Sequence, residues 1–136
     1  MNNNICKLLE QQDLELMVNF VDDENTKYSL DDLEKFISEK NAYGFIARSS
    51  DSVVAFAFGY VLVHPDGKKV FYLDAIDVAK DYQSKGIGTD LMLFIRDYAK
   101  RFGCHEMFLV TNKSNISACR CYEKSGAKSA TNPYIV

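Results

Sequence analysis

The alternation of apolar and polar positions switches repeatedly between a strand-like and a helical period along the chain. Ile5 to Leu9 is a short apolar run and predicts a first strand. From Asp13 onward, Leu14, Leu16, Met17, Phe20 and Val21 recur at helical spacing, with Asp13 placed to cap the helix. In Ser29-Leu30-Asp31-Asp32 a serine precedes an acid by three positions, a variant of the capping box. Leu30, Leu33, Phe36 and Ile37 then form the apolar stripe of a second helix. The polar stretch from Asp22 to Lys27 between the two reads as a mobile connection.

At Ala42 the pattern becomes strand-like. Tyr43 to Ala47, Val53 to Val63 and Val70 to Val78 are rich in Val, Phe, Tyr and Ile. They are separated by Arg48-Ser49-Ser50-Asp51-Ser52 and His64-Pro65-Asp66-Gly67-Lys68, which are turns by composition. Three strands joined by short turns predict an antiparallel meander. The helical period returns at Gly86, where Ile87, Leu91, Leu93, Phe94, Ile95 and Tyr98 share a face, and Gly103 ends it after Lys100 and Arg101. Met107 to Val110 reads as a short buried strand, Ile116 to Lys124 as a last helix stopped by Gly126, and Tyr134-Ile135-Val136 as a final strand. The order β-α-α-β-β-β-α-β-α-β predicts one mixed α/β domain over residues 1–136, with a crossover through the Gly86 helix.

Composition narrows the functional classes. A chain of 136 residues with 47% hydrophobic positions is long enough for one core and short for two. Its 16 basic and 19 acidic residues leave a formal charge of −3, the wrong sign for a general nucleic-acid binder, which displaces counterions with a basic surface. A mildly acidic surface suits cationic acceptors instead. Asp22, Asp23, Glu24, Asp31 and Asp32 could line the entrance for one, or simply form a solvated face. Cys6, Cys104, Cys119 and Cys121 lack zinc-ligand spacing, as do His64 and His105, so no metal is expected. Buried thiols of a reduced cytoplasmic protein are the plain reading. Met1-Asn2-Asn3-Asn4 has neither the basic region nor the apolar run of a signal peptide, and no stretch approaches a membrane span. Hence the cytoplasm is the expected compartment.

The segment that carries chemistry runs from Tyr72-Leu73-Asp74-Ala75-Ile76-Asp77-Val78 through Gln83-Ser84-Lys85-Gly86-Ile87-Gly88-Thr89. A strand leads to a loop with two glycines, and the loop opens directly into a helix. Amides in the first helical turn have no intrahelical partners, and with the helix dipole they form an anion site. Glycines let a phosphate approach the backbone, while Lys85 and Thr89 add a charge and a hydroxyl. Gly-Lys-Ser/Thr after four spacers is missing, so this is no P-loop; a third glycine is missing too, so it is no dinucleotide fingerprint. On spacing alone, a glycine turn that binds nothing remains an equal alternative.

Gln83-x-x-Gly86-x-Gly88 between a strand and an amphipathic helix resembles the acetyl-coenzyme A pyrophosphate loop of the GCN5-related N-acetyltransferase (GNAT) family. One helix and one strand later, Asn115-Ile116-Ser117-Ala118-Cys119-Arg120-Cys121-Tyr122-Glu123-Lys124-Ser125-Gly126 is similar to that family's N-x-x-A-x-x-x-Y-x-K-x-G helix. The likeness is specific from Tyr72 to Gly126 and follows the element order over nearly the whole chain. It implies a mixed sheet with helices on both faces and an acetyl-coenzyme A-dependent transfer to an amine. It also implies roles: Gln83, Ser84, Lys85, Gly86, Ile87, Gly88 and Thr89 at the pyrophosphate, and backbone amides of Ile76 and Val78 at the pantetheine arm and thioester carbonyl. Asn115 would bond the pantetheine amides, with helix capping as the competing explanation. Tyr122 matches the tyrosine that protonates the departing thiolate, with a core aromatic as its alternative.

The base is less well marked. Asp74 and Asp77 point to opposite faces of a regular strand, and Asp74 would share its face with Tyr72, Ile76 and Val78. Asp74 is therefore assigned to bind or deprotonate the amine, and Asp77 could equally brace a loop. The family's usual proline after this strand is Lys80 here, and its usual aromatic after the last helix is Ala127. The short tail suggests a last strand that is brief or shared with a second copy in a homodimer. The acceptor implied by the resemblance is a small-molecule amine, aminoglycoside-like among the options, with a peptide or protein amine as alternative. A non-catalytic acyl-coenzyme A sensor and a small interaction module are the rivals from other classes.

Overall fold

The computed structural model describes residues 4–21, 26–111 and 114–128. Five strands form one mixed sheet in the order β1-β2-β3-β4-β5: β1 (Ile5–Leu8), β2 (Ala42–Ser49), β3 (Ser52–Val63), β4 (Lys69–Val78) and β5 (Glu106–Leu109). The first four are antiparallel neighbours and β5 runs parallel to β4, reached through the crossover helix α3 (Ile87–Arg101). The meander and the crossover follow the expectation. Tyr134-Ile135-Val136, the acidic Asp22-Asp23-Glu24 and the shared-strand arrangement fall outside the described residues.

Alternation along the central strands divides the core in two. Phe45, Ala47, Val54 and Phe71 pack toward α3, with Leu91, Met92 and Ile95 from the helix. Ile46, Val53 and Phe56 pack on the other face with Leu14, Met17, Phe20 and Leu33 from α1 (Leu14–Met17) and α2 (Leu30–Ser38). Each of the larger side chains among these, fully buried, contributes about 1.5–3 kcal/mol. The helix α4 (Ile116–Lys124) lies on the α3 side, since Cys121 and Tyr122 pack against that first cluster. No described helix is long and apolar enough to cross a membrane.

Local signals succeeded unevenly. Ser29 caps α2 as expected, its Oγ accepting the Asp32 amide at 3.1 Å. Leu30, placed on the apolar stripe of that helix, is instead largely exposed. Asp13 does not cap a long helix. The chain makes a 3-10 turn (Gln11–Asp13) and then only four α-helical residues. Asp13 reaches back to accept the Glu10 amide at 3.0 Å and is wholly buried beside Lys7, 2.8 Å away, and Arg48, 3.6 Å away. A buried carboxylate requires such partners, and they lie on β1 and β2, beyond the reach of a local pattern. Nor is β5 buried: as the outermost described strand it leaves Phe108 41% exposed, and Val110 beyond it is exposed as well. The four cysteines are free thiols, half-buried rather than buried.

Candidate active site

The site begins with the ending of β5. Its register with β4 runs from Val70 opposite Glu106 to Leu73 opposite Leu109, and then stops. β4 continues five residues further, to Val78. Among the described residues no strand pairs with the outer edge of that extension. The Ala79 amide donates to the Val54 carbonyl at 2.9 Å, so it faces β3. Alternation then turns the Ala75 and Asp77 amides toward β3 and those of Ile76 and Val78 to the open edge. The Val78 carbonyl lies on that edge too, where the Gln83 side-chain amide donates to it at 3.0 Å.

At the end of β4 the chain makes a 3-10 turn (Lys80–Tyr82) and enters the glycine loop. Ser84 and Gly86 both adopt left-handed backbone, with φ of 62° and 84°. Gly86 occupies the cap position of α3, where a side chain would meet no atom but the backbone conformation itself favours glycine. The first amide to bond back along the helix is that of Asp90, to the Gly86 carbonyl at 3.0 Å. The Ile87, Gly88 and Thr89 amides precede it and have no intrahelical partner. Together with the dipole of a fifteen-residue helix they favour an anion at this end. Around them Gln83, Ser84, Lys85 and Gly86 are exposed, and Lys85 lies over the Tyr82 ring at 5.6 Å. These features fit a diphosphate beside a thioester-bearing arm along the open edge.

α4 closes the third side. A side chain at Gly88 would lie 3.2 Å from Cys121 Sγ and 3.6 Å from Val78 Cγ2, so helix start, strand end and α4 meet there. The Thr89 hydroxyl donates to Cys121 Sγ at 3.6 Å rather than pointing freely into the loop. Arg96 holds the far end of α4 through the Ser125 carbonyl at 3.2 Å. Asn115 caps the helix, its Oδ1 accepting the Ala118 amide at 3.2 Å, so the competing explanation for this residue is realised. Cys121 and Arg96 were not singled out by pattern, because a thiol and a cation on amphipathic helices carry no signal of what they touch.

Tyr122 is half-buried against the core. Burial first, and then Cys121, Asp77 and Cys119, push its hydroxyl up to about 12. It therefore stays protonated throughout the physiological range. The same rise makes it a weaker acid, since full transfer to a thiolate, whose thiol titrates near 8.5, runs uphill. A hydrogen bond to sulfur as charge develops suits this group better than early proton release.

The two aspartates are arranged differently from the expectation. Between Phe58 opposite Ala75 and Gly59 opposite Leu73 the register shifts, and Asp74 is the extra residue of a β-bulge. Phe71 and Leu73 face α3 before the bulge, and Ile76 and Val78 face it after. Asp74 thus does not share the face of Ile76 and Val78. It is exposed on the side of Tyr60, whose hydroxyl is raised by burial and then by the charges of Asp74 and Glu39 and by Tyr72. Asp77 rather than Asp74 acts on Tyr122. The bulge had one trace in the sequence: Gly59, whose Cα lies so close to the Tyr72 carbonyl and Phe71 ring that a side chain would collide. The remaining acids Asp31 and Asp32 sit exposed in the first turn of α2, and Asp31 pairs with Lys35 at 3.2 Å.

The family model of the GNAT acetyltransferases matches residues 8–127, both motifs included. The chain belongs to that family. It is 28% identical over 99 residues to streptothricin acetyltransferase A of Bacillus subtilis (strain 168), an alignment covering 72% of this chain and 55% of the relative. The chain thus spans about half the length of that protein. An aminoglycoside acetyltransferase from an uncultured soil metagenomic sample superposes with a TM-score of 0.79 at 21% identity, covering 98% of this chain and 95% of the other. A ribosomal-protein-alanine N-acetyltransferase from Brucella melitensis biovar Abortus 2308 superposes with 0.80 at 20% identity, covering 99% of each chain. At these identities the superpositions establish the shared fold.

Proposed function

We propose that this GNAT chain transfers an acetyl group from acetyl-coenzyme A to a primary amine, and that the amine belongs to a small, cationic molecule. The observation that carries the reading is the junction of unbonded amides at the start of α3 with the unpaired outer edge of β4. Gln83 to Thr89 hold the diphosphate, mainly through backbone amides, because the Gln83 and Thr89 side chains already bond Val78 and Cys121. The Ile76 and Val78 amides orient the pantetheine arm and meet the oxygen on which charge develops; such a preorganised donor contributes about 2.7–4 kcal/mol. Asn115 turns its side-chain amide to the same arm while its oxygen caps α4.

The amine nitrogen attacks the thioester carbon, and the carbon–oxygen double bond opens to an oxyanion. On collapse the carbon–sulfur bond breaks, and Tyr122 donates to the departing sulfur. The proton lost by the amine goes to Asp74 or through water, with Asp77 as the competing carboxylate. The cytoplasm is the compartment this reading expects. The streptothricin relative supports a small-molecule acceptor, and the ribosomal-protein neighbour keeps a peptide amine as the second reading.

Calorimetry with acetyl-coenzyme A tests the first half of the proposal: binding is expected, and its absence removes the enzyme. Release of free coenzyme A thiol in the presence of an amine panel tests the second. Turnover with small cationic amines and not with peptide N-termini is the expected outcome, and the opposite selectivity selects the second reading. Binding without release for any amine would identify a sensor.

A further inference from the structure

On the α2 face of the sheet three rings lie in one row across three strands. Tyr60 of β3 is the register partner of Tyr72 of β4, and Tyr72 is the partner of Phe108 of β5. Tyr72 and Phe108 stack, with centroids 5.0 Å apart and planes inclined by 27°. Tyr60 is rooted in the core edge-on to Phe58 at 6.3 Å and to Phe36 of α2 at 6.4 Å. The row opens to solvent: Tyr60 and Tyr72 are half-buried and Phe108 is 41% exposed.

Carboxylates border this row on three sides. Asp74, the bulged residue, follows Tyr72 by two positions. Glu39, exposed at the end of α2, precedes by three the residue Ala42 that pairs with Tyr60. Glu106 pairs with Val70, one step along the same face from the Tyr72–Phe108 pair, and is exposed. Both Asp74 and Glu39 act on the Tyr60 hydroxyl. Ring faces are the negative part of an aromatic quadrupole, so open rings among acids form a surface for an organic cation.

We infer that the Tyr60–Tyr72–Phe108 row, bordered by Asp74, Glu39 and Glu106, is the acceptor-recognition surface and selects amines that carry a second cationic centre. The inference rests on the placement of the acceptor amine at Asp74 proposed above. With the reacting nitrogen at the bulge, the second cation lies over the outer face of Phe108, since the inner faces of the stacked pair cover each other, and within range of Glu106. A monoamine of equal size gains only the first contact.

Calorimetric titration of the full chain with cadaverine and with hexylamine, which have equal numbers of heavy atoms, separates the two cases. Cadaverine is expected to bind about tenfold tighter, the range of a cation–aromatic contact reinforced by charge. Phe108→Leu and Glu106→Gln are each expected to reduce that advantage below about threefold, leaving hexylamine and acetyl-coenzyme A affinities unchanged. Both residues are exposed, so the fold tolerates the changes; unchanged acetyl-coenzyme A binding is the control. Equal affinity for the two amines, no binding of cadaverine, or a preference that survives both variants overturns the inference. Acetyl-coenzyme A binding without a diamine preference sinks this inference alone. A diamine preference without acetyl-coenzyme A binding sinks the transferase proposal and with it the acceptor role of this surface, leaving a cation-binding surface only.

Discussion

Tyr122 shows how one environment both equips and limits a side chain. Its placement against the core raises the hydroxyl to about 12, so the protonated form persists up to that pH and is lost only above it. As the donor to the departing sulfur it should impose no falling limb on the rate between about pH 7 and 10. Tyr122→Phe is expected to lower kcat about 100-fold, near the low end for acid catalysis because the group is a weak acid, with acetyl-coenzyme A affinity nearly unchanged. Steady-state rates across that pH range check both statements. A descending limb in the parent that disappears in the variant, or an undiminished kcat, removes Tyr122 from the role. Asp74 teaches a related lesson: a carboxylate's sequence position named the right strand, while a single extra residue in the register decided which face it serves.

At the level of elements, the residue capping α4 has an observed role and a proposed one. Asn115 caps the helix through Oδ1, and a pantetheine contact would use the amide nitrogen of the same side chain. Asn115→Asp preserves the capping oxygen and removes the donor, whereas Asn115→Ala removes both. The aspartate variant is expected to keep its melting temperature and lose acetyl-coenzyme A affinity about tenfold. The alanine variant should lose about 1 kcal/mol of stability as well. Thermal unfolding beside calorimetry distinguishes the functions; an aspartate variant with full affinity would leave the cap as the whole explanation. The start of α3 is a different case. The anion site proposed there rests on ordinary helix geometry, and the contribution of Gly86 is to let the chain enter the helix from left-handed backbone.

For the whole molecule, the decisive feature is that β4 outlasts β5. Four register pairs hold the parallel strands together, and beyond Leu73 the outer edge of β4 faces the loop and α4. Hydrogen exchange reads this directly. The amides of Ala75, Asp77 and Ala79 face β3 and should be protected in the free protein, whereas those of Ile76 and Val78 should exchange fast and slow markedly on addition of acetyl-coenzyme A. Equal protection of both sets without ligand would show that the edge is not open. The two cores divided by the sheet give this edge a rigid support, since β4 is anchored to β3 along its entire length.

Much of this molecule was legible along the chain because the relevant interactions are local. Apolar period, turn residues and capping serine located the described strands and helices to within a residue or two, except the first helix, expected through Val21 and formed only over Leu14–Met17; α4 was read with its observed bounds. The glycine loop was recognisable because its amides and its helix belong to one continuous segment. Other features required the tertiary structure because they join residues distant in sequence. The Asp13 ion cluster spans β1 and β2, and the bulge at Asp74 is defined only by its partners in β3. The thiol of Cys121 meets Gly88 and Thr89 across two helices. The aromatic row is built from three strands, none of which displays it alone. Periodicity reports how a segment relates to a core; it carries no record of which other segment arrives on the same face.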